Sequence, residues 1–467
     1  LVFTEIPGWQ HIGGEVWKDI AVQNTIDMVE QYRNHPSIIL WGVRINESKD
    51  DDEFYARTNA AAHKLDPTRQ TGGVRSMKAD RKTNIQEDVM TYNDFVHSGE
   101  NEGCLPKHKV TNDMSKAYMV TEYCGHMFPT KSYDCEDHRT EQMVRHANVI
   151  NAVAGESDIA GSFGWCMFDY NTHKDFGSGD RICYHGVMDM FRNPKTAAYL
   201  YSAQARPKRP EDTVLEVSSS LDIGEHPAGL RGDCYIISNA DSVRMYRNDR
   251  LLKEYFPQDS EWKFLRHGPI FIDDFIGDQL KEGEGYGEQQ AALTKQCLNL
   301  YAKNGGKLDA QAGALAAGLM AVYHMTMADA VRLYGKYIGD WGAASREYRF
   351  EAIKDGKVVK TLVKGALKEV RLQAETDRDV LIEDQTYDCC EIRIKAVDQN
   401  GNVLPYFQEP VSVSCEGPVE IIGPSLVTLR GGMAGVYVKT AGKAGKAVVR
   451  LECAGTEAKE IELDVMV

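Results

Sequence analysis

Through the first 205 residues, short apolar runs alternate with longer stretches in which apolar side chains recur at helical spacing. The clearest run is Ile38-Ile39-Leu40-Trp41-Gly42-Val43-Arg44-Ile45, and it ends in Asn46-Glu47. Its branched residues and lack of proline predict a strand covered on both faces, as in a parallel sheet, although spacing alone also allows a buried helical segment. The flanks decide for the strand. Asn34-His35-Pro36 stops what precedes it, and Ser48 followed by Asp50, Asp51 and Asp52 starts a helix with carboxylates in its first turn. Parallel sheets collect ligands at such strand-to-helix turns, which puts Glu47 where chemistry is done.

The same pattern extends on both sides. Leu1–Pro7 reads as a strand carrying Glu5, and Glu15–Tyr32 as an amphipathic helix with Val16, Ile20, Ile26, Val29 and Tyr32 on its apolar face. Asp51–Leu65 is a helix stopped by Asp66-Pro67. Gln70–Val74, Val89–Asn93 and Ala117–Glu122 are strands, a polar helix over Asp137–Ala152 leads into a strand stretch over Ile159–Asp169, and Pro194 opens a last helix. Alternating strands and helices predict a parallel sheet, with six strands by Asp169. A closed barrel of eight would have its first two strands upstream of Leu1.

After Arg206-Pro207-Lys208-Arg209-Pro210 the period changes to short alternating strands, at Val214–Val217, Asp233–Ser238 and Val243–Tyr246, with a turn at Asn248-Asp249. An alanine-rich helical stretch from about Glu288 to Tyr337 interrupts them. Strands resume at Arg346–Lys354 with Asp355-Gly356 as a hairpin turn, and from Thr376 onward valine-rich strands are separated by glycine turns. The expected division is a barrel part over 1–205, a β-sandwich over 206–375 with a helical insertion at about 280–337, and an immunoglobulin-like sandwich over 376–467.

Length agrees with that count, since 467 residues exceed a single core and suit about three domains. The net charge of −15, with Lys and Arg scattered, argues against nucleic acid and anionic membrane as partners. No apolar run approaches the ~18 residues of a membrane span. The chain starts at Leu1 without a methionine, so it reads as processed or as part of a longer protein, and any targeting signal would lie upstream. Eleven cysteines without a CxxC repeat, two of them adjacent at Cys389 and Cys390, suit neither a disulfide framework nor zinc. Gly283-Glu284-Gly285-Tyr286-Gly287 reads as a connector without the strand-then-helix setting of a nucleotide loop, and no cofactor or metal is predicted.

The candidate chemistry rests on two glutamates at strand ends, Glu47 and Glu122 in Val-Thr-Glu-Tyr-Cys-Gly. Glycoside hydrolysis needs such a pair, one to protonate the leaving oxygen and one to attack or to activate water, roughly 5–5.5 Å apart when configuration is retained. The competing reading makes each a helix cap or a surface charge.

Four motifs, Asn34 to Trp41, Asn46-Glu47, Thr121-Glu122-Tyr123 and Gly161-Ser162-Phe163-Gly164-Trp165, resemble in order and spacing those of glycoside hydrolase family 2, the family of β-galactosidases and β-glucuronidases. The similarity is greatest to multi-domain β-galactosidase-like enzymes of Bacteroidetes. The resemblance implies a partial (β/α)8 TIM barrel, six of eight strands, followed by two immunoglobulin-like β-sandwiches. It implies Glu47 as general acid/base, Glu122 as nucleophile and Asn46 on the sugar 2-hydroxyl. Tyr92 would donate a hydrogen bond to Glu122, or else be a core tyrosine. Trp165 would form the floor under the sugar, or else belong to the core. His11 would touch the sugar or be an ordinary loop histidine. Some family members bind magnesium here, but Trp9 stands where their glutamate is expected. The polar loop Asp169-Tyr170-Asn171-Thr172-His173-Lys174-Asp175 would line the sugar pocket through Asp169 and Lys174. Ser178-Gly179-Asp180-Arg181 stands in place of the Asn-x-Lys pair with which glucuronidases clamp a carboxylate; Asp180 would repel a uronate, which favours a neutral hexose, while Arg181 and Lys174 keep a uronate open. The implied activity is a retaining exo-β-glycosidase, a β-galactosidase first, with β-glucuronidase, β-mannosidase or a non-catalytic carbohydrate-binding fragment as alternatives. The implied partner is a carbohydrate substrate, with a homo-oligomer possible and a periplasmic or secreted location by analogy.

Overall fold

Five strands, β1 (Val2–Glu5), β2 (Ile38–Gly42), β3 (Gln70–Arg75), β4 (Val89–Asn93) and β5 (Ala117–Glu122), lie side by side in chain order in one parallel sheet. The structure, a computed structural model, describes residues 1–80, 82–96, 103–172, 177, 179–222, 224, 232–339 and 346–467. It has two compact units, Leu1–Pro129 with Arg145–Met167, and Thr130–Val144 with Phe168–Val467.

In the first unit the sheet is a half-barrel. Helices α1 (Glu15–Tyr32) and α2 (Asp52–Leu65) supply the crossovers that parallel neighbours require. Their buried residues join Trp41, Val43 and Ile45 in one core, with Trp41 wholly enclosed. Asp51 caps α2, its side chain accepting from the Phe54 amide at 3.1 Å. The buried stripe of α1 is Ala21, Thr25, Met28 and Val29, whereas Val16 and Ile20 are exposed, so the apolar face expected from the largest residues is rotated.

The sixth strand expected over Ile159–Asp169 is not a continuous strand. It is a segment bonded parallel to β5, through Ala160 N to Tyr118 O at 2.8 Å and Phe163 N to Val120 O at 2.9 Å, with bridges at Ser162 and Trp165. Gly161 and Gly164 within it offer no side chain to pack, which weakens a ladder.

The second unit holds two pairs of sheets and a two-stranded one, Tyr170–Asn171 with Ile182–Cys183. A four-stranded sheet (Ser242–Arg247, Arg250–Tyr255, Glu347–Lys354, Lys357–Gly365) and a three-stranded one (Leu215–Val217, Tyr235–Ser238, Ile270–Phe271) enclose one core. Its hairpins turn at Asn248-Asp249 and Asp355-Gly356, each with both residues in the left-handed region that such two-residue turns require. Four helices between Gln279 and Tyr334 are inserted into this module, and the first of them takes in Gly283 and Glu284, read from sequence as a connector. The strands from Arg371 to Met466 form a second pair of sheets, of four and five strands, around an apolar core of their own. Among the described residues no single helix is long and apolar enough to cross a membrane.

Candidate active site

Glu47 projects from the turn that follows β2. Its backbone is left-handed, φ 55°, a conformation a glutamate adopts only when its surroundings enforce it. They do so here. Glu47 N donates to Val74 O at 3.1 Å, and the Ser48 hydroxyl donates to Ile45 O at 2.8 Å while meeting the Tyr55 hydroxyl. Buried Arg44 reaches Ser48 O at 2.9 Å and Asp50 at 2.7 Å and lies over the Tyr55 ring. The carboxylate is gripped from β1's side, with Oε2 accepting from Trp9 Nε1 at 3.0 Å and Gln10 Nε2 at 3.3 Å.

Glu122 reaches the same place through an irregularity. Tyr118 and Val120 point into the core between sheet and helices, and strict alternation would send Glu122 after them. Between Tyr92/Val120 and Asn93/Glu122 the register of β4 and β5 shifts by one residue on β5. This bulge turns Glu122 to the face of Asn93. There Asn93 Nδ2 donates to Glu122 Oε2 at 2.9 Å and lies 3.2 Å from both Glu47 Oε1 and Asn46 Oδ1. The Thr121 hydroxyl donates to Asn93 Oδ1 at 3.2 Å, which orients the amide with its nitrogen toward the carboxylates. Sharing one nitrogen, the two carboxylate oxygens are separated by no more than the sum of their distances to it, about 6 Å.

Burial, then the negative charges of Glu47 and Glu5, push the Glu122 carboxyl up to about 7, against the single opposing hydrogen bond from Asn93. Glu5, at the end of β1, is also pushed up to about 7 by the protein crowded around it, although its surface meets solvent. It lies across Gly42, where a Cβ would fall 2.4 Å from Glu5 Cγ, so only glycine lets β1 and β2 approach with Glu5 in this position. The carboxyl raised by its surroundings is therefore the one expected to stay ionised.

The structure brings Glu47, Glu122 and Asn46 together. Trp165 is 43% exposed, and its indole and Glu122 Oε1 flank Gly125, 3.5 and 3.8 Å from the point where a Cβ would sit. Tyr92 is not a partner of Glu122. It lies in the core with Val110 and Tyr118, because alternation along β4 turns Tyr92 outward and Asn93 inward, and Asn93 makes the bond expected of it. His11 is exposed, its ring edge-on to Trp17 at 5.9 Å, while Trp9 and Gln10 before it hold Glu47. In the second unit Asp169 is buried and bound to Lys195 Nζ at 2.7 Å and the Gly186 amide at 2.9 Å, which commits its carboxylate to an internal ion pair. Asp180 accepts from Arg430 at 2.9 Å and from the Tyr184 hydroxyl, so its charge is compensated and the repulsion of a uronate expected from it loses its basis. Lys174 lies outside the described residues. Among the described residues no three His, Cys, Asp or Glu side chains are grouped to hold a metal ion. Asn93 and Gln10 are not among the site residues read from sequence, and Trp9 enters there only as standing where a magnesium-binding glutamate is expected. Asn93 could have been found as the last residue of an apolar strand, the position Asn46-Glu47 takes after β2.

Residues 8–208 match the family model described as "Glycosyl hydrolases family 2, TIM barrel domain", and residues 372–462 that described as "Glycoside hydrolase family 2 C-terminal domain 5". A β-galactosidase of Thermoanaerobacterium thermosulfurigenes is 38% identical over 436 residues, 92% of this chain and 52% of the relative. One of Thermoanaerobacter pseudethanolicus is 37% identical over 451 residues, 96% of this chain and 51% of the relative. The chain thus spans about half the length of these curated relatives. A β-glycosidase structure from Bacteroides vulgatus superposes with a TM-score of 0.64 at 15% identity, over 98% of this chain and 55% of that one, a likeness of fold alone. The strand-end carboxylates Glu47 and Glu122 fall inside the matched barrel stretch, and the chain belongs to glycoside hydrolase family 2.

Proposed function

We propose that the protein is a retaining exo-β-glycosidase, specifically a β-galactosidase, that releases terminal β-linked sugars through a covalent glycosyl-enzyme on Glu122. The observation that carries this reading is the amide of Asn93 within hydrogen-bond reach of both carboxylates, a separation of at most about 6 Å between their facing oxygens. Retaining pairs stand ~5–5.5 Å apart, whereas inverting pairs need roughly 6.5–9.5 Å to admit a water. Galactose as the glycone follows from the relatives, both named as β-galactosidases.

In the first step a Glu122 carboxylate oxygen bonds to the anomeric carbon while the glycosidic C–O bond breaks and its oxygen takes a proton from Glu47. In the second, Glu47 removes a proton from water, whose oxygen attacks the same carbon, and Glu122 leaves as carboxylate. The pair needs one proton between them at the start. A Glu122 carboxyl pushed up to about 7 beside a second carboxylate meets that requirement near neutrality, as the proton of such a pair belongs to both. Positive charge developing on the sugar as the glycosidic bond breaks favours ionised Glu122, so the reacting form is the one with the shared proton on Glu47. Trp165 offers its exposed ring to the sugar's apolar face. Asn46, whose Oδ1 lies 3.2 Å from the Asn93 amide nitrogen, has its own amide hydrogens for the 2-hydroxyl.

The test is hydrolysis of aryl β-galactoside, β-glucuronide and β-mannoside by the full-length protein and its Glu122→Gln variant, with the first-formed anomer followed by NMR. The expected result is β-galactoside cleavage giving the β-anomer first, lost on substitution. Release of the α-anomer sinks the retaining mechanism, and cleavage of another glycoside alone sinks the glycone.

A further inference from the structure

One nitrogen at the centre of the site serves three acceptors. Asn93 Nδ2 carries two hydrogens and lies within 3.2 Å of Asn46 Oδ1, Glu47 Oε1 and Glu122 Oε2. It cannot satisfy all three at once, so its donors go where negative charge is greatest. The residue is buried and its orientation is locked, since the Thr121 hydroxyl holds Oδ1 and the β4–β5 bulge sets it opposite Glu122.

We propose that Asn93 is the positioning residue of the carboxylate pair, its shared amide nitrogen setting the separation of Glu47 and Glu122 and apportioning their proton between them. The inference rests on the reading of Glu47 and Glu122 as the reacting pair. In the free enzyme the amide holds both carboxyls. Once Glu122 is bonded to the sugar it loses its charge, and both amide hydrogens turn to Glu47 and Asn46, steadying Glu47 as the base that activates water. The other charged groups nearby do not take this part. Glu5 acts on Glu122 through its charge alone. Asp94 is turned away to the amides of Val96 and Leu105, at 3.0 and 2.7 Å. Arg44 and Arg75 are engaged with Asp50 and Glu87.

The experiment is the pH profile of kcat/KM for Asn93→Ala and Asn93→Asp in the full-length protein, on whichever aryl glycoside it cleaves, with Glu122→Gln as control. Loss of a donor to ionised Glu122 raises that carboxyl, so in Asn93→Ala the acidic limb moves to higher pH by about one unit. At pH values on the acidic limb kcat/KM falls roughly tenfold for such a shift. Asn93→Asp keeps the side chain's shape but adds a negative charge, and moves the acidic limb farther in the same direction. A role confined to structure lowers the rate without moving the limbs. Limbs unmoved in the Asp variant overturn the proposal, including where the Ala variant fails to fold. An active Glu122→Gln enzyme overturns the pair itself, an outcome distinct from unmoved limbs in an enzyme that needs Glu122.

Discussion

The half-barrel and the last β-module, residues 371–466, are both built from strands over apolar cores, yet they spend their strand ends differently. In the last module, strands such as Pro410–Glu416 and Gly445–Cys453 alternate buried and exposed residues, and the side chains turned inward are aliphatic. One of its buried carboxylates, Glu391, is tied to the Tyr437 hydroxyl at 3.1 Å and to Arg192. In the half-barrel, β3 and β4 are buried almost throughout, with Arg75, Asn93 and, beyond β2, Arg44 among the enclosed residues. Arg44 Nε, Arg75 Nε and Glu87 Oε1 are buried there without hydrogen-bond partners, and Glu47 holds a left-handed backbone. The difference teaches that backbone strain and crowded charge mark the region organised for chemistry, while the module that alternates cleanly is organised for stability.

Four substitutions bear on that contrast. Glu122→Gln should lower kcat by about three orders of magnitude or more, measured as turnover of the aryl glycoside. It should also make the barrel more stable at neutral pH. A carboxyl held at about 7, above its ordinary 4.5, binds its proton more tightly folded than unfolded. Its stabilising contribution is therefore complete below about pH 4.5 and is lost as pH rises through 7. The gain in melting temperature from Glu122→Gln should appear at pH 8 and vanish at pH 4. A variant less stable than the parent at pH 8 would break the comparison.

In the last module, Ile392→Ala removes a fully buried side chain and should destabilise by roughly 2–5 kcal/mol in urea unfolding, with kcat per folded molecule unchanged. Trp165→Ala should raise KM about tenfold, in line with ~1.5 kcal/mol for a lost aromatic contact, and leave the melting temperature nearly unmoved. The smallest effect belongs to Glu5→Gln. Its charge is one of those raising Glu122, so removing it should shift the acidic limb of kcat/KM downward by a fraction of a pH unit. An upward shift would mean that Glu5 supports the ionised form of Glu122 instead.

The strand-helix order, the hairpin turns and the two strand-end glutamates were legible from local pattern, because each depends on residues a few positions apart. Apolar runs, Asp51 before a helix, and Asn248-Asp249 or Asp355-Gly356 between strands act within one element. What only the tertiary structure decided is which side chains meet. Tyr92 and Asn93 are neighbours in sequence, and a one-residue bulge between β4 and β5, invisible in either strand alone, chose Asn93 for the site and turned Glu122 toward it. Trp9 and Gln10 hold Glu47 because the loop after β1 is bonded to the turn after β2, Gln10 N to Asn46 O at 2.8 Å. Asp180 met Arg430 only after 250 residues of chain had folded back. Local sequence sets which elements form and where they stop, since propensity and capping act over a turn or two. Register, bulges and long-range charge partners follow from how those elements pack, and there the two carboxylates become a pair.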